Sequence, residues 1–169
     1  AVITIAYRNG LHADFTPKPI ENLPGNGFHI NMSVKSTDGQ DYLPQIIAGV
    51  LDKAADMTAF LNPVKASYYR FGSDKAPQYV SWSTENRSQL IRIPAAFGEY
   101  RRAELRSPDP TANPYLAFTL IIYAGLDGIK NQLKLPDPAD FNLYTANTEI
   151  LDSYKRLPGT LKAAVSLAK

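Results

Sequence analysis

The run Arg102-Ala103-Glu104-Leu105-Arg106-Ser107-Pro108-Asp109-Pro110 alternates three charges with two apolar residues and then stops at paired prolines. As a strand, with a period of two, it puts Arg102, Glu104 and Arg106 on one face and Ala103 and Leu105 in the core. One carboxylate then sits between two guanidinium groups. A solvated ladder of ion pairs would use such residues, and so would a site that holds a metal together with anionic ligands. Six of the eight arginines, Arg70, Arg87, Arg92, Arg101, Arg102 and Arg106, fall within 37 positions that contain only the acids Asp74, Glu85, Glu99 and Glu104. The guanidinium fork matches carboxylate and phosphate oxygens, and its charge survives burial. The predicted chemistry is recognition of small acidic ligands by a basic centre, within a chain whose net charge is only +2.

The absence of cysteine excludes disulfides, thiolate metal sites and cysteine nucleophiles. With only His12 and His29 available, metal binding would rest mainly on carboxylate oxygens, which suit magnesium or manganese better than zinc. The basic residues form no lysine-rich tail or stripe and the pI is about 8.7, so nucleic acid is not expected as a partner. No apolar run approaches the roughly 20 residues of a bilayer span, and the short apolar N-terminal run lacks the basic leader of a signal peptide. No membrane association is expected, and the cytoplasm is the default compartment. There is no Gly-rich phosphate loop, so a nucleotide would be held by side chains and sheet residues.

These residues need a scaffold. At 169 residues and 44% hydrophobic content, the chain fits a single domain over 1–169 with one core. Residues 28–34 alternate strictly, with His29, Asn31 and Ser33 on one face of a strand. Over 42–61, Leu43, Ile46, Ile47, Val50, Leu51, Ala54 and Ala55 recur at helical spacing, and Asn62-Pro63 closes the helix. Residues 78–83, 90–93 and 100–106 read as short strands. A second long helix begins after Pro114 and carries Leu116, Phe118, Ile121, Ile122 and Ile129, with Gly125 and Gly128 weakening its last turns. Residues 150–156 and 161–167 read as short helices, 1–8 as a helix end or a strand, and 11–15 as a strand. Strands and helices alternate without a βαβ rhythm, which predicts an α+β fold with a mainly antiparallel sheet and flanking helices.

Four motifs in order, Pro24-Gly25-Asn26-Gly27-Phe28-His29, Asn62-Pro63 with Ser67-Tyr68-Tyr69-Arg70, Asn86-Arg87-Ser88-Gln89-Leu90-Ile91-Arg92, and the opening run, resemble glutamine synthetase of the bacterial type. The block from Pro110 to Gly128 continues the likeness. The resemblance covers most of the chain and implies the central part of the C-terminal catalytic domain, without the N-terminal domain and the C-terminal end. It implies an ATP-dependent ligase that phosphorylates the γ-carboxylate of glutamate and lets ammonia displace the phosphate. A homo-oligomer would do this in the full-length parent, while the isolated piece would be inactive and would expose apolar surface that the parent buries. By motif position, His29 and Glu104 would ligate Mg2+ or Mn2+. Arg70, Arg106 and the backbone at Gly25 would hold glutamate, and Ser33, Arg87, Arg92 and Arg102 would face ATP. Arg87 would also stabilise charge during phosphoryl transfer.

Several positions depart from the pattern. Pro24 stands where the family usually has asparagine, Asn31 replaces the second histidine of Gly-x-His-x-His, and Lys75 stands in a shortened loop in place of a flap glutamate. A protonated ammonium cannot accept a proton from the nucleophile; adjacent Asp74 could. These departures make a γ-glutamyl-amine ligase the alternative within the class. Outside it stand a non-catalytic binding module of the same fold and a guanidino kinase, the latter disfavoured by the absence of cysteine.

Overall fold

Leu43, Ile47, Val50, Leu51, Ala54, Met57 and Leu61 form the buried stripe of α2 (Leu43–Leu61), as their spacing predicts. The computed structural model describes residues 1–72, 76–94, 98 and 101–168. Before α2 come α1 (Val2–Arg8), which buries no residue, and β1 (Ile30–Met32). After it follow a 3-10 turn (Lys65–Tyr69), β2 (Trp82–Ser83), β3 (Ile91–Arg92), β4 (Ala103–Leu105), α3 (Pro114–Lys130), α4 (Thr148–Asp152) and α5 (Leu161–Leu167).

The strands form one sheet in the order β1-β4-β3-β2. The β1–β4 and β3–β4 pairs are antiparallel and the β2–β3 pair is parallel. The fold is α+β with a small mixed, mainly antiparallel sheet and flanking helices. Register aligns Ile30, Leu105, Ile91 and Trp82 in one row and Asn31, Glu104, Arg92 and Ser83 in the next. Because successive side chains alternate between faces, the first row packs into the core with α2 and the second lies on the opposite face.

The ladders are shorter than the alternation suggests. Residues 11–15 form no strand, and the pairing at 28–34, 78–83, 90–93 and 100–106 contracts to the two or three residues of each ladder; Tyr100 lies outside the described residues. The flanking backbone groups bond to loops instead, Phe28 N–H to the Pro108 carbonyl and Val80 N–H to the Lys155 carbonyl. Residues 2–8 form a helix, and the helix expected at 150–156 lies earlier, as α4 over Thr148–Asp152.

α3 starts where expected, with Pro114 in its first turn and the Asn113 side chain accepting from the Tyr115 and Leu116 amides. Its buried face is not the one the large apolar residues suggest. Leu116, Phe118 and Ile122 are exposed, while Ala117, Ile121, Ala124, Gly125 and Gly128 are buried. The cause is backbone contact between α2 and α3. A Cβ on Gly49 would stand 2.0 Å from the Ala124 carbonyl oxygen, and one on Gly128 would stand 2.1 Å from that of Gln45. Only small residues permit this approach, so the glycines are the packing surface. No helix among the described residues is long and apolar enough to cross a membrane.

Candidate functional site

The carboxylate of Glu104 lies at the centre of the polar row. Its Oε2 is 2.9 Å from Nη1 of Arg106 and 2.9 Å from Nε of Arg92, and its Oε1 is 3.1 Å from Nδ1 of His29. The carboxylate does sit between two guanidinium groups, but the second is Arg92, its register partner on β3, rather than Arg102. Arg102 donates instead from Nε to Oδ1 of Asn31, at 3.1 Å. Directly opposed residues on neighbouring strands have Cβ atoms only about 4.5–5.5 Å apart, so the cross-strand arginine reaches the carboxylate readily.

Burial pushes the Glu104 carboxyl up, but the charge and hydrogen bond of Arg106, with the charge of Arg92, outweigh it and hold the group below its ordinary 4.5. Burial lowers the pKa of His29, and Arg106 lowers it further against the opposing pull of Glu104. His29 is therefore neutral at pH 7. Because a carboxylate can only accept, the Nδ1–H donates to Glu104 and Nε2 keeps its lone pair.

This cluster opens into a pocket of about 320 Å³, whose walls also include Arg70, Arg87, Pro24, Gly25 and Gly27. Four guanidinium groups line it against one carboxylate, an excess of positive charge that suits a multiply charged anion. Arg70 is buried at the end of the 3-10 turn, with Nη1 donating to the Ser107 carbonyl at 3.0 Å. Gly25 is required by close approach: a Cβ there would lie 2.3 Å from the Pro17 carbonyl oxygen and 2.8 Å from Cγ of Arg70. The missing Cβ makes room for Arg70 and the loop, where the sequence suggested room for a ligand.

Of the residues singled out from the sequence, Gly25, His29, Arg70, Arg87, Arg92, Glu104 and Arg106 thus meet at one pocket. Ser33 and Arg102 are exposed and do not line it. Lys75 and Asp74 lie outside the described residues. Two buried polar residues that the sequence reading placed within the motifs but gave no role in the site, Asn62 and Asp109, stand behind Arg70. Besides their place in the motifs, a signal was that Asn62 falls in phase with the buried stripe of α2, four residues after Thr58.

No group of three or more His, Cys, Asp or Glu residues is positioned to hold a metal among the described residues. His29 and Glu104 offer two donors, and Glu104 already has ion-pair partners. Magnesium or manganese requires about six ligands, so the described residues do not by themselves form a divalent-cation cage.

Fold and pocket together define an α+β domain built around an arginine-lined anion site. A family model described as glutamine synthetase, catalytic domain, matches residues 1–169. Glutamine synthetase of Staphylococcus aureus (strain MW2) is 43% identical over 179 residues, and that of Staphylococcus epidermidis is 41% identical. Each alignment covers 97% of this chain and 40% of the relative, so the chain spans about two fifths of their length. A solved structure described as a GmaS/ADP complex, conformation 1, superimposes with a TM-score of 0.85 at 31% identity, covering 98% of this chain and 42% of that one. The chain belongs to the glutamine synthetase family.

Proposed function

We propose that the protein carrying this chain is an ATP-dependent glutamate–ammonia ligase, a cytoplasmic homo-oligomer that forms glutamine through a γ-glutamyl phosphate. The observation that carries this reading is the convergence of Arg70, Arg87, Arg92 and Arg106 on the His29–Glu104 pair in one pocket, within a chain of this family. Arg70 and Arg106 hold the glutamate. Arg87 and Arg92 face the phosphates, and Arg87 stabilises the charge that develops as a γ-carboxylate oxygen attacks the terminal phosphorus and the bond to ADP breaks. Ammonia then attacks the acyl carbon, phosphate leaves, and the nitrogen gives up a proton. His29 and Glu104 would offer two ligands to a magnesium or manganese ion, and residues beyond those described would have to complete its shell. Such an ion would neutralise phosphate charge.

A second reading, a γ-glutamyl-amine ligase, is favoured by Pro24, which lines the pocket and offers neither a backbone N–H nor a polar side chain where the family usually has asparagine. The test is glutamate-dependent phosphate release by the full-length protein with ammonia and with a panel of amines. Turnover with ammonia, lost in Arg87→Ala, supports the first reading. Turnover with an amine alone replaces it by the second. The absence of any glutamate-dependent turnover overturns both.

A further inference from the structure

The Asp109 side chain is wholly buried, yet it lines no part of the pocket. Its Oδ2 accepts from Nδ2 of Asn62 at 3.0 Å, and its Oδ1 accepts from the amide and hydroxyl of Thr111 at 2.9 and 2.5 Å. Nη1 of Arg70 lies 3.9 Å from Oδ2, close enough to balance charge but too long for a hydrogen bond. The Ser107 carbonyl accepts from Arg70 Nη1 at 3.0 Å and, at 2.9 Å, from Nδ2 of Asn62. The same clamp ties the end of α2 to the exit of β4, because the Asp109 amide donates to the Leu61 carbonyl. From the opposite side Gly25 and Pro17 close over the Arg70 stem.

We infer that Asp109, held in place by Asn62 and Thr111, is a positioning residue that fixes Arg70 in the pocket and thereby sets the affinity of the site for the carboxylate of its amino-acid substrate. The inference rests on the reading that Arg70 grips that substrate. A guanidinium taken out of water needs a compensating charge, and burial lowers the pKa of Arg70 while the Asp109 charge opposes the shift. A brace behind the arginine supplies that charge without occupying the face that meets the ligand. Arg106 stands one residue before Ser107 in the segment that leaves β4, so the brace also ties the placement of Arg70 to that of the second pocket arginine.

The test measures glutamate KM, ATP KM and kcat in the full-length protein for Arg70→Gln, Asp109→Asn, Asn62→Ala and Asn113→Ala, with thermal unfolding of each. Asp109→Asn keeps the shape but removes the charge and places an amide donor against that of Asn62. It should raise glutamate KM at least tenfold while ATP KM stays within twofold. Asn113→Ala removes the exposed cap of α3 and touches none of these residues, and it should leave glutamate KM within twofold even where it lowers Tm, which separates positioning from general destabilisation. If Asp109→Asn does not fold, Asn62→Ala decides, with an expected rise of severalfold in glutamate KM alone. A rise in glutamate KM for Arg70→Gln with none for Asp109→Asn, or with none for Asn62→Ala where that variant decides, overturns the positioning role. An unchanged glutamate KM in Arg70→Gln overturns instead the substrate role on which it rests.

Discussion

Arg92 and Glu104 face each other across the β3–β4 pair with Nε 2.9 Å from Oε2, and the Nε–H is not aimed at that oxygen. The contact is a charge pairing rather than an aligned hydrogen bond. Arg106 makes the directed one, from Nη1 at 2.9 Å. Glu104 therefore shares its single negative charge between two guanidinium groups and holds them together at the base of the pocket.

Glu104→Gln should leave those guanidinium groups in mutual repulsion and cost about 1–3 kcal/mol of stability near pH 7, read by urea unfolding. The depressed carboxyl value also has a pH signature. Its stabilisation is complete above the ordinary 4.5 and is lost as pH falls through the lower folded value. The variant should lack that acid limb. Equal acid dependence in both proteins would remove the ion pair from the account.

The backbone crossing of α2 and α3 predicts a graded glycine series. Gly49→Ala and Gly128→Ala each drive a methyl into a carbonyl, at 2.0 and 2.1 Å, and should cost about 1–3 kcal/mol or more. Gly125→Ala meets only Cγ2 of Ile46, at 3.0 Å. That side chain can turn away, and alanine gains about 1 kcal/mol in helix propensity. Its stability should change little. Denaturant midpoints for the three variants give the order.

Tyr68 is buried with its hydroxyl unpartnered among the described residues, and burial with the nearby Asp109 charge pushes its pKa up to about 12. The unfolded chain ionises near 10 while the folded chain keeps its proton, so the unfolded state is favoured as pH rises through that window. Tyr68→Phe should match or exceed the native stability at pH 7 and lose less of it between pH 10 and 12. Parallel thermal scans at neutral and alkaline pH provide the comparison, and parallel losses in both proteins would contradict it.

Asn113 caps α3 through Oδ1, which accepts from the Tyr115 and Leu116 amides at 3.0 and 3.3 Å. Asn113→Ala should destabilise by about 1 kcal/mol, while Asn113→Asp should retain most of the cap. Urea denaturation followed by far-ultraviolet circular dichroism distinguishes the two.

Some of this was legible in the residues alone. The stripe of α2, the bounds of α5, the capped start of α3 and the alternation that puts Ala103 and Leu105 inside all follow from local periodicity and end signals, which depend on neighbours a few positions apart. The pocket residues His29, Arg70, Arg87, Arg92, Glu104 and Arg106 were named from types and motif order without any distance between them. Which arginine faces Glu104 was settled by the register of β3 against β4, a pairing between segments twelve residues apart that no local pattern encodes. The buried face of α3 was likewise settled by its partner: periodicity finds where large apolar residues lie, but a helix that must touch another backbone buries its glycines and leaves Leu116, Phe118 and Ile122 outside. Asn62 and Asp109 were legible as motif members beside prolines, but nothing in the local pattern showed that their side chains would be buried. Tertiary packing buried them together behind Arg70, where a buried charge requires a partner, and made them part of the site.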